Sequence, residues 1–121
     1  MLEDGNAEIV FKALKQMKKN YRNKHLLSAA KEAPYCMACG TNDETIVSAH
    51  SNQIADGKGT GIKAHDFRIA FLCSKCHFFV DQGNATKEEK KEVWEAAHRA
   101  TIGWLFLNNR LMYKEAPKYI F

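Results

Sequence analysis

Several things are missing from this chain of 121 residues, and each absence closes a class of function. No apolar stretch approaches a membrane span, since the most apolar window, Ile102 to Leu107, is far too short. The start, Met1-Leu2-Glu3-Asp4, is acidic and no apolar run of signal length follows, so a reducing compartment is expected. There is no internal repeat and no low-complexity segment. The glycine-rich stretch Gly57-Lys58-Gly59-Thr60-Gly61 lacks the spacing and the Lys-Ser/Thr pair of a Walker loop. It is either a place where backbone approaches a phosphate or a turn. Asp and Glu are absent from Lys12 through Lys31, while Lys12, Lys15, Lys18, Lys19, Arg22, Lys24 and Lys31 all fall there. The net charge of +4 is mild, but a block of one sign suits a polyanion, nucleic acid first. A solvated basic helix face is the plainer alternative.

What the chain does have is four cysteines in two C-x-x-C pairs, Cys36-Met37-Ala38-Cys39 and Cys73-Ser74-Lys75-Cys76, with 33 residues between them. A two-residue spacer lets both thiolates of a turn face one ion, and two such knuckles complete a tetrahedral zinc site. A disulfide framework would suit a secreted chain, and a redox dithiol uses one C-x-x-C, so structural zinc is the expectation. A chain of this length holds a modest core that gains from such a staple. One domain is expected over 1–121. It divides into a basic helical extension (1–33), a zinc-knuckle core (34–85), and a C-terminal helix and tail (86–121).

In chain order, helical spacing of Val10, Phe11, Leu14 and Met17 predicts a helix over 7–20. A second basic helix is expected from Arg22 to Glu32, ended by Pro34. Thr45 to His50 reads as a short strand, and Phe67 to Leu72 as a strand feeding the second knuckle. A short helix from Ser74 would carry His77 and Asp81 at i and i+4, on one face and within reach of a common ion. Gly83 and Asn84 break it. Thr86-Lys87-Glu88-Glu89 is a capping box that starts a last helix running to Asn108 or Asn109. Its predicted buried stripe is Val93, Trp94, Ala97, Thr101, Trp104 and Leu105, with His98 beside it in a structural role. The tail from Leu111 to Phe121 is apolar and aromatic, suited to packing on the core or on a second copy as a homodimer.

The order of knuckle, strand ending in histidine, loop, strand, knuckle with histidine, and helix resembles the zinc-stapled branch of the HNH, or ββα-metal, endonucleases. A closer resemblance is to the small prophage-encoded YbcO-like nucleases. Ala49-His50, Gly59-Thr60-Gly61 with Lys63 and Asp66, Cys73-Ser74-x-Cys76-His77 with Asp81, Arg99 and Trp104-Leu105 carry it. It spans about Cys36 to Leu105. It implies a small α+β fold with a zinc-stapled ββα-metal core and flanking helices, in the cytoplasm of a bacterial host cell. It also implies that His50 is the general base and that His77 and Asp81 hold a catalytic Mg²⁺ or another divalent ion. The sequence departs from the pattern at Ala49, where many HNH enzymes carry a metal-ligating Asp or His. The motif's central Asn is not evident, and Asp66, seven residues before Cys73, is the nearest polar candidate. Either His50 itself ligates the ion and another group serves as base, or Asp66 or His65 completes the shell.

The expected function is a metal-dependent DNA endonuclease of phage or prophage type. Lys63, Arg99, Lys12, Lys15, Lys19 and Arg22 would contact the nucleic acid. Two other classes fit the same residues: a non-catalytic, zinc-stabilised nucleic-acid-binding module, and a protein–protein adaptor using the aromatic tail. Plain structural roles are the alternatives at single residues: a carbonyl-bonded strand-end histidine at 50, a zinc-competing His77 and a solvated Asp81.

Overall fold

The structure, a computed structural model, describes residues 19–112. The predicted helix over 7–20 lies outside the described residues except for Lys19 and Asn20, which are not helical; Lys12, Lys15 and nearly all of the aromatic tail also lie outside them. The architecture is α+β. A short helix α1 (Lys24–Ser28) precedes two strands, β1 (Val47–His50) and β2 (Ile69–Leu72), which are followed by α2 (Ser74–Gln82) and the long α3 (Lys87–Leu107). The strands pair antiparallel, with Val47 opposite Leu72 and His50 opposite Ile69. No helix among the described residues is long and apolar enough to cross a membrane.

The expected helix from Arg22 to Glu32 is shorter than predicted. The side chain of Asn23 accepts the N–H of Leu26, so the helix begins only at Lys24. From Ala29 to Glu32 it tightens into a 3₁₀ turn, and Ala33, preceding Pro34, is extended with ψ 132°. Both strands are also shorter than predicted, four residues each. Thr45 is drawn out of β1, its N–H donating to Asp43 and its hydroxyl oxygen accepting the N–H of Ser74 at the start of α2. The capping box at α3 forms, with the Glu89 N–H donated to Thr86 Oγ1 at 3.1 Å. The helix ends at Leu107, because Asn109 turns left-handed (φ 58°) and the Arg110 N–H returns to the Leu105 carbonyl.

β2 is buried on both faces, and strand alternation sends its residues into two clusters. Ala70 and Leu72 pack with Ala49, Val80, Trp94, Ala97, Cys36 and Cys73. Ile69 and Phe71 pack with Leu26, Ala29, Ala30 and Leu105. Four of the six predicted α3 stripe residues are fully buried, and Val93 and Trp104 are half-buried. The outer edge of β2 is closed by side chains and the first knuckle. Thr101 Oγ1 accepts the Phe71 N–H at 3.0 Å, His98 Nδ1 lies 2.6 Å from the Ile69 carbonyl, and the Met37 N–H donates to the Phe71 carbonyl. His98 also stacks on Trp94, with ring centroids 5.0 Å apart, so its predicted structural role is what the fold uses.

Candidate active site and metal centre

The two knuckles meet as the sequence predicts. The sulfurs of Cys36, Cys39, Cys73 and Cys76 all lie within 4.8 Å of one another, a group that could hold a metal ion such as zinc. Cys39 Sγ and Cys73 Sγ are 3.7 Å apart, close to the ~3.8 Å edge of a tetrahedron whose metal–sulfur bonds are about 2.3 Å. The first turn is built for this. Gly40 adopts φ +80°, its N–H reaches the Cys36 carbonyl, and the amides of Ala38 and Cys39 point at Cys36 Sγ. Burial raises the Cys36 thiol, but the N–H groups of Cys39, Cys73 and Ala38 outweigh it and bring it down to about 7. Cys73 and Cys76 are pushed up, chiefly by burial and also by neighbouring thiols. Four crowded sulfurs in a partly desolvated corner suit a doubly charged ion.

The remaining predicted residues fall into two pairs. His50, at the end of β1, lies with Nε2 2.7 Å from Asp66 Oδ1. Asp66 is buried and takes the backbone N–H of Asn23 on Oδ2 at 2.7 Å, while Arg22 Nη1 sits 3.3 Å from Oδ1. His77 Nε2 lies 3.0 Å from Asp81 Oδ2, and both side chains are about one-third exposed, at 39% and 36%. Asn52 follows His50 by two residues, and its Nδ2 donates to Asp81 Oδ1 at 2.7 Å. Among the described residues, the cysteines are the group of three or more ligand-type side chains that close on one point; His50, His77 and Asp81 do not form another. His77 is paired with Asp81 and stands outside the cysteine group.

The segment carrying His50 and Asn52 is braced from behind. Ser51 is fully buried, donating to Asp56 at 2.5 Å and accepting the Gln53 N–H. Arg68 reaches Asp56 Oδ2 at 2.9 Å and Glu95 Oε2 at 2.5 Å, and its guanidinium lies over the Trp94 ring at 4.8 Å. Gln53 donates to the same Glu95 oxygen. Burial acts to raise the Glu95 carboxyl, yet Arg68 and Gln53 hold it below its ordinary range. His65 is buried, its Nδ1 accepting the Tyr21 N–H and its ring stacked on Phe67, so it supports the loop.

Of the predicted cationic contacts, Lys19, Lys63 and Arg99 are exposed. The Arg22 guanidinium is engaged internally, donating to the carbonyls of Tyr21, Lys63 and Ala64 as well as meeting Asp66. The glycine loop forms a tight turn closed by reciprocal Gly59 and Ile62 backbone bonds at 3.0 Å. Asn52 and the Arg68 network carry no motif in the sequence; Asn52 meets Asp81 29 residues on and Arg68 meets Glu95 27 residues on, and only the fold brings them together.

Residues 30–107 match the model of the family described as "Putative nuclease YbcO". The chain belongs to the YbcO family. The family is named for nuclease activity, a hydrolase acting on nucleic acid, and the YbcO match encloses all four cysteines, both histidine–carboxylate pairs and Asn52. Arg22, Asn23 and the basic block before them lie outside the YbcO match. No curated protein and no solved structure matches the chain.

Proposed function

We propose that this YbcO-family chain is an HNH-type endonuclease of phage or prophage origin that hydrolyses DNA phosphodiesters, with His50 as general base. The observation that carries the reading is the His50–Asp66 pair at the rim of a structurally fixed segment. An ionised carboxylate only accepts, so Asp66 holds the proton of His50 on Nε2 and leaves Nδ1 free to take one from water. Water oxygen then bonds to phosphorus, the bond to the 3′ oxygen breaks, and the water proton goes to His50 Nδ1. The departing 3′ oxygen leaves as a hydroxyl once protonated from solvent.

His77 and Asp81 are the residues that would hold a divalent ion. Their donor set, one imidazole and one carboxylate 3.0 Å apart and open to solvent, fits an ion that keeps most of its shell for water and phosphate. Such an ion supplies charge neutralisation on the phosphate and help for the leaving oxygen. The four thiolates, by contrast, form a closed set that suits folding rather than chemistry. The exposed Lys19, Lys63 and Arg99, with Lys12 and Lys15, are assigned to the DNA backbone.

The test is DNA nicking by the zinc-loaded protein with Mg²⁺ or Mn²⁺. Turnover should fall by about 10²- to 10⁴-fold in His50→Ala, with zinc content and melting temperature kept. Undiminished cutting by that variant removes His50 from the mechanism. The buried Ala49, where a metal-ligating residue would stand, favours a second reading: a zinc-stabilised module that binds nucleic acid without cutting it. That reading predicts salt-sensitive binding and no metal-stimulated cleavage.

A further inference from the structure

We infer that Asn52 supplies a third, oxygen ligand to a divalent cation held by His77 and Asp81, in place of the strand residue that Ala49 cannot provide. The inference rests on the nuclease reading and deepens it. Ala49 is 1% exposed, its side chain packed in the cluster with Val80 and Trp94 and its carbonyl accepting the Trp94 N–H. Nothing at that position can reach an ion beside α2. Asn52, three residues on, does reach the pair: its carboxamide lies 2.7 Å from Asp81 Oδ1, while Asp81 Oδ2 faces His77. One carboxylate therefore already gathers an imidazole on one oxygen and a carboxamide on the other.

The backbone that carries Asn52 is fixed on both sides. Ser51 is tied to Asp56, and Gln53 is tied to Glu95. Asn52 itself is exposed, so burial does not dictate where its side chain goes. Rotation of the amide by half a turn exchanges the N–H₂ that meets Asp81 for the carbonyl oxygen. The oxygen would then face a cation shared with Asp81 and His77, giving one nitrogen and two oxygen donors and leaving the other positions for water or phosphate.

The experiment titrates Mn²⁺ into the zinc-loaded full chain without nucleic acid, reading free Mn²⁺ by electron paramagnetic resonance and zinc by elemental analysis. The wild type should bind one Mn²⁺, His77→Ala should lose it, and Asn52→Ala should bind at least about tenfold more weakly. Asn52→Asp separates ligation from mere positioning. As an added oxygen donor it should bind Mn²⁺ at least as tightly as the wild type. As a replacement for a hydrogen-bond donor it would only repel Asp81 and bind no better than Asn52→Ala. Wild-type affinity in Asn52→Ala, or an Asn52→Asp variant as weak as Asn52→Ala, overturns the ligand role while leaving the nuclease reading standing. Absence of any Mn²⁺ site in the wild type overturns the catalytic-ion reading itself.

Discussion

His50 Nε2 and Asp66 Oδ1 lie 2.7 Å apart, and the second oxygen of Asp66 accepts the amide of Asn23, the residue that caps α1. The carboxylate is thus fixed from two directions before it meets the imidazole. An amide in its place would keep the shape but could turn either an acceptor or a donor toward His50. Asp66→Asn should therefore leave DNA affinity nearly intact and lower the nicking rate toward the level of His50→Ala, a loss of about 10²-fold or more. A plasmid-nicking time course alongside a binding titration checks this. A variant that cuts normally would make Asp66 a purely structural group.

Arg22 reaches the same carboxylate but spends most of its donors on the carbonyls of Tyr21, Lys63 and Ala64. With its side chain 48% exposed, its ion pair with Asp66 is largely screened, and removing it should cost about 1 kcal/mol. Arg22→Lys should behave much as Arg22→Ala, because an ammonium cannot fork to several carbonyls at once. Urea denaturation of both variants provides the measurement. Full retention of stability by Arg22→Lys would show that charge, and not the fork, is what matters.

How much of this was legible in the residues differs from element to element. The C-x-x-C spacing, the Thr86 to Glu89 cap and the i, i+4 step from His77 to Asp81 are local patterns, and local hydrogen-bond geometry realises each of them. Asp66 is a sequence candidate for the same site as His50, but the sequence assigns it to an ion's shell, whereas its carboxylate meets the imidazole of His50 directly. Arg22 read as one more cation in a basic block, since charge patterning does not tell a phosphate contact from an internal clamp. Asn52 and the Arg68–Asp56–Glu95 network were invisible because each depends on which side of a buried strand a distant residue emerges. The second helix was predicted too long because apolar periodicity continues through Ala30, whereas Asn23 and Pro34 confine the regular turn from both ends.

Among the described residues, Arg68 is a cation shared by two acidic side chains, and its pair with Asp56 is mostly buried. Breaking a buried pair by removing one partner leaves the other charge uncompensated. Arg68→Met should cost about 3 kcal/mol, at the low end for buried pairs because Glu95 keeps 28% exposure. Glu95→Gln should cost much less, since an amide oxygen still accepts from Arg68 and Gln53. Chemical denaturation of both variants tests the ranking, and equal losses would contradict it.

His98 gives the fold a pH dependence with a definite sign. Burial is the main cause that depresses its protonation, against the Ile69 carbonyl bond that favours the charged ring, so its pKa in the folded chain lies below the ordinary 6.5. The unfolded chain therefore binds the proton more readily. The stability His98 contributes is fully present above about pH 6.5 and is lost as pH falls through the folded value. His98→Gln should flatten the slope of melting temperature against pH on the acid side of 6.5. An unchanged slope in that variant would assign the acid sensitivity to other groups.

Zinc removal should undo more than the knuckles. Cys36 and Cys73 belong to the same buried cluster as Ala49, Leu72, Val80 and Trp94, so the cysteine corner and the strand that ends in His50 share one core. The first knuckle is also tied to β2 through the Met37 N–H on the Phe71 carbonyl. Structural zinc in small domains is worth about 10–16 kcal/mol of apparent binding free energy. That is comparable to the roughly 5–15 kcal/mol by which whole domains are stable. A strong chelator, or Cys36→Ser, should thus abolish the cooperative thermal transition and lower the helical circular dichroism signal, with re-addition of Zn²⁺ restoring the chelated wild type only. His77→Ala, which leaves the thiolates untouched, should melt cooperatively with zinc bound. A zinc-free wild type that still melts cooperatively near the temperature of the loaded protein would show that packing of β2 against α3 holds the fold without the metal.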